Sequence, residues 1–152
     1  MKRVRIAERR NWRERARELG FEFHSPDGEA YWDESAYYAF SLAEIETDIE
    51  DAAAELEQLC RVAVARIVAD DRLLARMAVP NSAWGLIRNS WKRGDPSLYG
   101  RLDFSYRTGS PAKLLEYNAD TPTALYEAAA FQWFWLEDQL KAGKLPAGAD
   151  QF

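Results

Sequence analysis

The sequence predicts an α+β fold, with long amphipathic helices packed against a small antiparallel sheet, in a single domain spanning residues 1–152. Three observations carry that expectation. Ile45, Ile49, Ala52, Leu56, Leu59, Ala63 and Ile67 recur at steps of four and three, the spacing of one helix face. Leu102, Phe104 and Tyr106 alternate with Arg101, Asp103 and Ser105, the period of a strand. A composition of 47% apolar and 30% charged residues over 152 positions describes a soluble globular chain, long enough to bury a sizeable core.

At the N-terminus, Met1 to Arg17 carries eight Lys and Arg against Glu8 and Glu14, a net +6, so the remainder carries −11 of the total −5. Trp12, Ala16 and Leu19 form a helical apolar stripe ended by Gly20, which predicts a surface helix whose arginines are solvated or paired. Phe21 to His24, the Asp27-Gly28 turn and Ala30 to Trp32 predict a small hairpin. His24 is the only histidine, and with no Ser or Cys nucleophile motif beside it a structural or solvated role is expected. Asp33 to Phe40 reads two ways: Tyr37 to Phe40 favours an extended segment, and Asp33 can cap a short helix.

Ser41-Leu-Ala-Glu44 has the form of a capping box. It opens the stripe from Ile45 to Ile67, which predicts a helix of about 28 residues, or about 42 Å. Such a seam can pair two chains, but its alanines favour packing within one. Cys60 flanks it and is expected to be a small core residue. A short helix over Asp71 to Met77 follows, then Val79-Pro80, then a helix capped by Asn81 or Ser82 with Trp84, Ile87 or Arg88, and Trp91 at helical spacing. Lys92 to Pro96 ends it. The Arg93-Gly94-Asp95 tripeptide is too common by chance to signal adhesion.

The chemical centre lies in Gly100 to Thr123, GRLDFSYRTGSPAKLLEYNADTPT. Arg107 to Ala112 is turn chemistry, and Lys113 to Asn118 alternates again, with Glu116 and Asn118 on one face and Leu115 and Tyr117 on the other. Matching the apolar sides of this hairpin brings Arg101, Asp103, Glu116 and Asn118 onto a single face. Neighbours there are about 5–7 Å apart. Two such close carboxylates repel unless a cation lies between them, and Asp, Glu and Asn offer the hard oxygen donors that Mg²⁺ takes together with substrate phosphate. Arg101 grips phosphate or carboxylate through paired hydrogen bonds. The same pattern also fits a solvated strand face with a cross-strand Arg–carboxylate pair. Beyond the hairpin, Thr121-Pro122 marks a helix start, with Pro at the first helical position and the helix ending near Lys141 ahead of Gly143. Thr121 and Thr123 then stand at a helix N-terminus, which favours anions.

LYGRLDFSY followed by KLLEYNADTPTALYEAAAFQW resembles the synthetase domain of the glutathionylspermidine synthase family, which are ATP-grasp ligases. The likeness extends back through Trp12 to Phe23, AYWDESAYYAF, and Asn89 to Trp91, and so covers nearly the whole chain. The resemblance implies an N-terminal part of an ATP-grasp-like synthetase that joins a peptide carboxylate to an amine such as a polyamine, using ATP and Mg²⁺ and passing through an acyl phosphate. Arg101 then contacts the acyl phosphate, and Asp103, Glu116 and Asn118 hold the metal. Asp120, Thr121 and Thr123 touch the peptide substrate, where the family commonly has serines beside the Asn. The tail Leu145 to Phe152 reads as loop, whereas the family continues with most of its nucleotide site, so a fragment inactive by itself is expected.

A net acidic chain argues against nucleic acid as main partner, no apolar run approaches a membrane span, and a single Cys60 suits a cytoplasmic setting. Two rival readings are a non-catalytic binding or protein-interaction module, and a two-carboxylate hydrolase built on Asp103 and Glu116.

Overall fold

The structure, a computed structural model, describes residues 1–152. Its elements run β1 (Lys2–Arg5), α1 (Trp12–Glu18), β2 (Ala36–Ala39), α2 (Asp51–Ala69), α3 (Asp71–Arg76), α4 (Asn81–Arg93), β3 (Arg101–Ser105), β4 (Lys113–Asn118) and α5 (Gln132–Lys141). Wider π-helical turns at Glu44–Glu50 and Glu127–Phe131 lead into α2 and α5. Mixed helix and sheet are present as expected, with two separate two-stranded antiparallel sheets, β1–β2 and β3–β4. The chain packs as two compact units, Met1–Ile45 with Pro122–Phe152, and Glu46–Thr121.

The first unit has an aromatic core. Trp12 and Ala16, the predicted α1 stripe, are buried with Phe21 and Phe131, and Leu19, Trp32 and Phe134 pack around them. Phe21 and Phe131 are 4.7 Å apart between ring centres, and Trp32 meets Phe131 edge-on at 5.0 Å, within the range where aromatic pairs gain beyond area burial. His24 is buried, edge-on to Trp12 and Phe21, with Nδ1 3.0 Å from the Ser25 hydroxyl, which is the structural role expected of it.

Three expectations in this unit are corrected. The basic N-terminus begins as a strand, with Lys2 opposite Ala39 and Arg5 opposite Ala36, and helix starts only at Trp12. Arg9, expected among the surface arginines, has a buried side chain. Its guanidinium bonds the fully buried Glu34 carboxylate at 2.6 Å and Asp138 at 2.8 Å, and Glu34 also accepts from the Trp32 indole at 3.1 Å. The hairpin at Phe21–Trp32 keeps its turn but not its ladder. Asp27 and Gly28 take φ of 52° and 83°, yet the flanks join only where the His24 carbonyl accepts from Tyr31 and Trp32 N–H groups; Phe21 and Trp32 turn to the core, while Phe23 and Tyr31 stay exposed.

A fourth correction concerns the last helix. Ala124 has φ of 69°, which breaks the backbone, and helix begins after it, so Pro122 precedes the helix instead of opening it. Thr121 and Thr123 therefore do not stand at a helix N-terminus. The end is as predicted, with α5 closing at Lys141 and Gly143 at φ 66°.

The capping box forms in full. Ser41 N–H donates to Glu44 at 2.9 Å, and Glu44 N–H donates back to the Ser41 hydroxyl at 3.3 Å. In the second unit, α2 packs on α3 and α4, burying Val68 and Leu74. Asp70 caps α3 by accepting from Arg72 N–H at 2.8 Å. Helix α4 has no side-chain cap at its start; Asn81 is already helical, and Pro80 stands before it. Arg93 clasps Asp95 at 2.6 Å, so the tripeptide closes on itself. The long stripe is only partly covered, since Leu59 is 56% exposed.

Candidate functional site

The hairpin β3–β4 positions the site. Its register sets Arg101 opposite Asn118 and Asp103 opposite Glu116. Residues directly opposite in an antiparallel pair share a face, so all four side chains project together. The other face carries Leu102 opposite Tyr117 and Phe104 opposite Leu114. Apolar matching had paired this side through Leu115. Instead Leu115 is the extra residue of a β-bulge next to Glu116 and is 70% exposed, and Leu114 takes its place.

Arg101 is committed to its own strand. Its Nε bonds Asp103 Oδ1 at 2.6 Å and its Nη2 bonds Oδ2 at 3.1 Å, while Glu116 across the hairpin is 3.9 Å away. The pairing is therefore a two-point grip along β3, where a cross-strand pair was the plainer expectation. Arg101 holds the Asp103 carboxyl below the ordinary carboxylate range, through that hydrogen bond, and the same bond raises the guanidinium. Glu116, with about half of its side chain exposed, keeps only the distant contact with Arg101.

Asn118 ends β4 by folding back on the chain ahead. Its Oδ1 accepts from Asp120 N–H at 3.2 Å and Thr121 N–H at 3.0 Å, and its Nδ2 donates to the Thr121 carbonyl at 3.4 Å. This Asx turn fixes the backbone of Asp120 and Thr121 directly after the four-residue face. Thr123 falls in the other compact unit.

The donor chemistry fits a hard divalent cation. Two carboxylates in register and an amide oxygen share one face, all of them oxygen donors of the kind Mg²⁺ takes. They do not make a complete cage, because nowhere do three His, Cys, Asp or Glu side chains converge as a metal cluster. That suits Mg²⁺, which keeps water and substrate phosphate among its ligands. A cleft of about 500 Å³ lined by Arg61, Val64, Val68, Leu86, Ile87 and Trp91, and a larger one of about 1070 Å³ in the first unit, contain none of the predicted site residues.

Sequence reading missed how the hairpin is held. The Tyr106 hydroxyl donates to Asp48 at 2.5 Å, and Tyr117 hydrogen-bonds Glu57, which Arg61 Nε also reaches at 2.7 Å. Tyr117 thereby lowers the Glu57 carboxyl, and Glu57 raises the Tyr117 phenol. The signal was available as two tyrosines on the apolar side of an exposed hairpin, whose hydroxyls need partners.

Residues 3–152 match the family described as glutathionylspermidine synthase preATP-grasp. The chain is 43% identical over 123 residues to a putative acid–amine ligase of Haemophilus influenzae, an alignment covering 78% of this chain and 30% of that protein. It is 36% identical over 76 residues to trypanothione synthetase of Crithidia fasciculata, covering 49% and 12% of the two chains. Against the bifunctional glutathionylspermidine synthetase/amidase of Escherichia coli it is 31% identical over 107 residues, covering 69% and 17%. The chain thus spans about a third or less of the length of these relatives.

Proposed function

The chain belongs to the glutathionylspermidine synthase preATP-grasp family, of the acid–amine ligases, and from that premise we propose that its hairpin supplies the acyl-phosphate and metal corner of an ATP- and Mg²⁺-dependent carboxylate–amine ligase. The observation that carries the reading is the register that gathers Arg101, Asp103, Glu116 and Asn118 on one face. In the reaction, a peptide carboxylate attacks the γ-phosphorus of ATP to give an acyl phosphate and ADP, and an amine then displaces phosphate to form the amide. Such a sequence asks the protein for positioning and charge neutralisation.

Asp103, Glu116 and Asn118 would hold Mg²⁺, which supplies positive charge against the phosphate oxygens. Arg101 is suited to those oxygens because its planar fork already makes a two-point bond to the Asp103 carboxylate, and phosphate has the same geometry. Asp120 and Thr121, next to Asn118 in the chain, would meet the peptide end of the substrate, with Thr123 following, and a metal at Asn118 Oδ1 would displace the two N–H groups from which that oxygen accepts. The names of the relatives support a glutathione-like peptide as acid and a polyamine as amine. Nucleotide binding and turnover belong to a longer form, and the 152-residue chain is inactive alone.

Calorimetry of Mg-ATP and glutathione, on this chain and on a form extended to the length of its relatives, tests the reading. Expected is turnover by the extended form with a polyamine present, and its loss in Arg101→Ala. Turnover unchanged by Arg101→Ala removes the role given to that arginine. A chain that binds a protein partner and no nucleotide in either form points to the interaction module instead.

A further inference from the structure

The face of four polar residues has a reverse side, where one aromatic ring is packed directly on the backbone. Tyr117 lies between Glu116 and Asn118 in sequence, so it projects from β4 on the opposite side from both. Its ring rests over Gly100, the residue immediately before Arg101. A Cβ on Gly100 would fall 2.6 Å from Tyr117 Cε2 and 3.2 Å from its hydroxyl oxygen, so only glycine leaves the ring where it is. Gly100 has no other claim on being glycine, because its φ is not in the left-handed region. The ring tip reaches Glu57 on α2, and Glu57 is itself held by Arg61.

At the other end of β3, Tyr106 bonds Asp48 at 2.5 Å. The hairpin is therefore fastened by its two tyrosines to carboxylates along one helical run. At the Tyr117 end the fastening acts directly on the two residues that flank it.

We infer that Tyr117, seated on Gly100, is the positioning residue of the site, fixing where Glu116 and Asn118 stand against Arg101 and Asp103. The inference rests on the ligase reading of that face, and deepens it. Groups that orient a metal's ligands without touching the metal commonly change its affinity 10- to 100-fold when removed. Tyr117 acts on two donors at once through their shared backbone. A methyl group at Gly100 meets the ring at Cε2 and displaces its tip from Glu57, and removing the ring loses the same tip. Both changes act at the same contact, so their effects are not additive.

The experiment is a Mn²⁺ titration of the 152-residue chain, read by paramagnetic broadening. It is accompanied by the metal-free signals of the Asn118 side-chain amide and the Arg101 Nε–H, and by melting curves. The variants are Gly100→Ala, Tyr117→Leu, the double substitution and Asp103→Asn. Expected is Mn²⁺ binding lost in Asp103→Asn and weakened about tenfold in each single variant, with the double variant no weaker than either, because leucine lacks the ring tip that the new methyl meets. The Asn118 and Arg101 signals move in both single variants before any metal is added.

Metal-free signals that stay in place in Gly100→Ala overturn the inference whether or not metal binds. So do variants with a lowered melting temperature and undiminished Mn²⁺ affinity, which would make Tyr117 a packing residue only. Wild-type affinity no better than that of Asp103→Asn overturns the metal role given to this face, and is told apart because the metal-free signals still report on Tyr117.

Discussion

The two compact units solve the problem of holding shape in opposite ways. Residues 1–45 with 122–152 bury Trp12, Phe21, Phe131, Trp135 and Leu136 and enclose an ion pair, whereas residues 46–121 bury only Val68 and Leu74 among their apolar side chains. The second unit instead relies on hydrogen bonds at or near its surface, from Tyr106 to Asp48, Tyr117 to Glu57, Arg88 to the Val68 carbonyl and Arg93 to Asp95. Buried area gives stability, while directional bonds give orientation. The candidate chemistry lies on the unit held by direction. A face that must present two carboxylates and a guanidinium at set spacings gains more from fixed angles than from a deep core.

The largest effect that separates the units is expected from Phe131→Ala. The ring is fully buried against Phe21 and Trp32, so its removal is expected to cost about 3–5 kcal/mol. Denaturant melts read by amide signals of each unit check it, with residues 1–45 and 122–152 losing protection first. Equal loss across Glu46–Thr121 would show that the division into units has no energetic meaning.

Glu34→Gln comes next, at about 3 kcal/mol, since it leaves the Arg9 guanidinium buried without its full counter-charge. Arg9 retains Asp138, whose side chain is half exposed, and that keeps the cost at the lower end for a broken buried pair. The same melts read it, and a combined Arg9→Met, Glu34→Leu replacement is expected to recover most of the loss. No recovery would mean that the pair fixes geometry that apolar contacts cannot replace.

Acid acts more on the other unit. Tyr117 and Arg61 hold Glu57 below its ordinary value of 4.5, and hydrogen bonds to the Arg72 backbone, Arg93 and Arg101 hold Asp70, Asp95 and Asp103 below 3.8. A carboxyl whose folded pKa is depressed binds fewer protons folded than unfolded. Its contribution is therefore fully present above the ordinary carboxylate range and is lost as pH falls through the folded value. Titration from pH 7 to 3 is expected to leave both units intact down to about 4.5, and then to loosen Glu46–Thr121 first. The effect is modest because these groups face solvent. Simultaneous loosening of both units, or onset near pH 6, would contradict it.

The units also differ in how much of them the sequence disclosed. Local signals were legible: the Ser41–Glu44 box, the Asp27-Gly28 turn, the alternation on either side of Gly109 and the α1 stripe all depend on residues a few positions apart. Those that failed depend on partners far along the chain. Lys2-Arg-Val-Arg5 has one apolar residue and becomes a strand only because Ala36 to Ala39 pairs with it. Arg9 looks like its neighbours, and nothing local says that Glu34 and Asp138 will enclose it. For the candidate site, period-two alternation sufficed to place four residues on one face. The bulge at Leu115, the Asx turn of Asn118 and the seat of Tyr117 on Gly100 are three-dimensional and could not be counted off.

Leu59 gives the smallest effect and the sharpest contrast. The stripe from Ile45 to Ile67 follows helical spacing, yet its members are not equally covered: Ile45 is buried and Leu59 is not. Leu59 is 56% exposed and Val62 51%, while Cys60 and Val68 lie inward. Leu59→Ser is therefore expected to change stability by no more than about 0.5 kcal/mol, against several for Phe131→Ala, although both residues are large and apolar. A denaturant melt of the 152-residue chain decides it. A loss of about 2 kcal/mol would mean that this face is covered in solution, and that the second unit has a larger core than its packing of α2 on α3 and α4 provides.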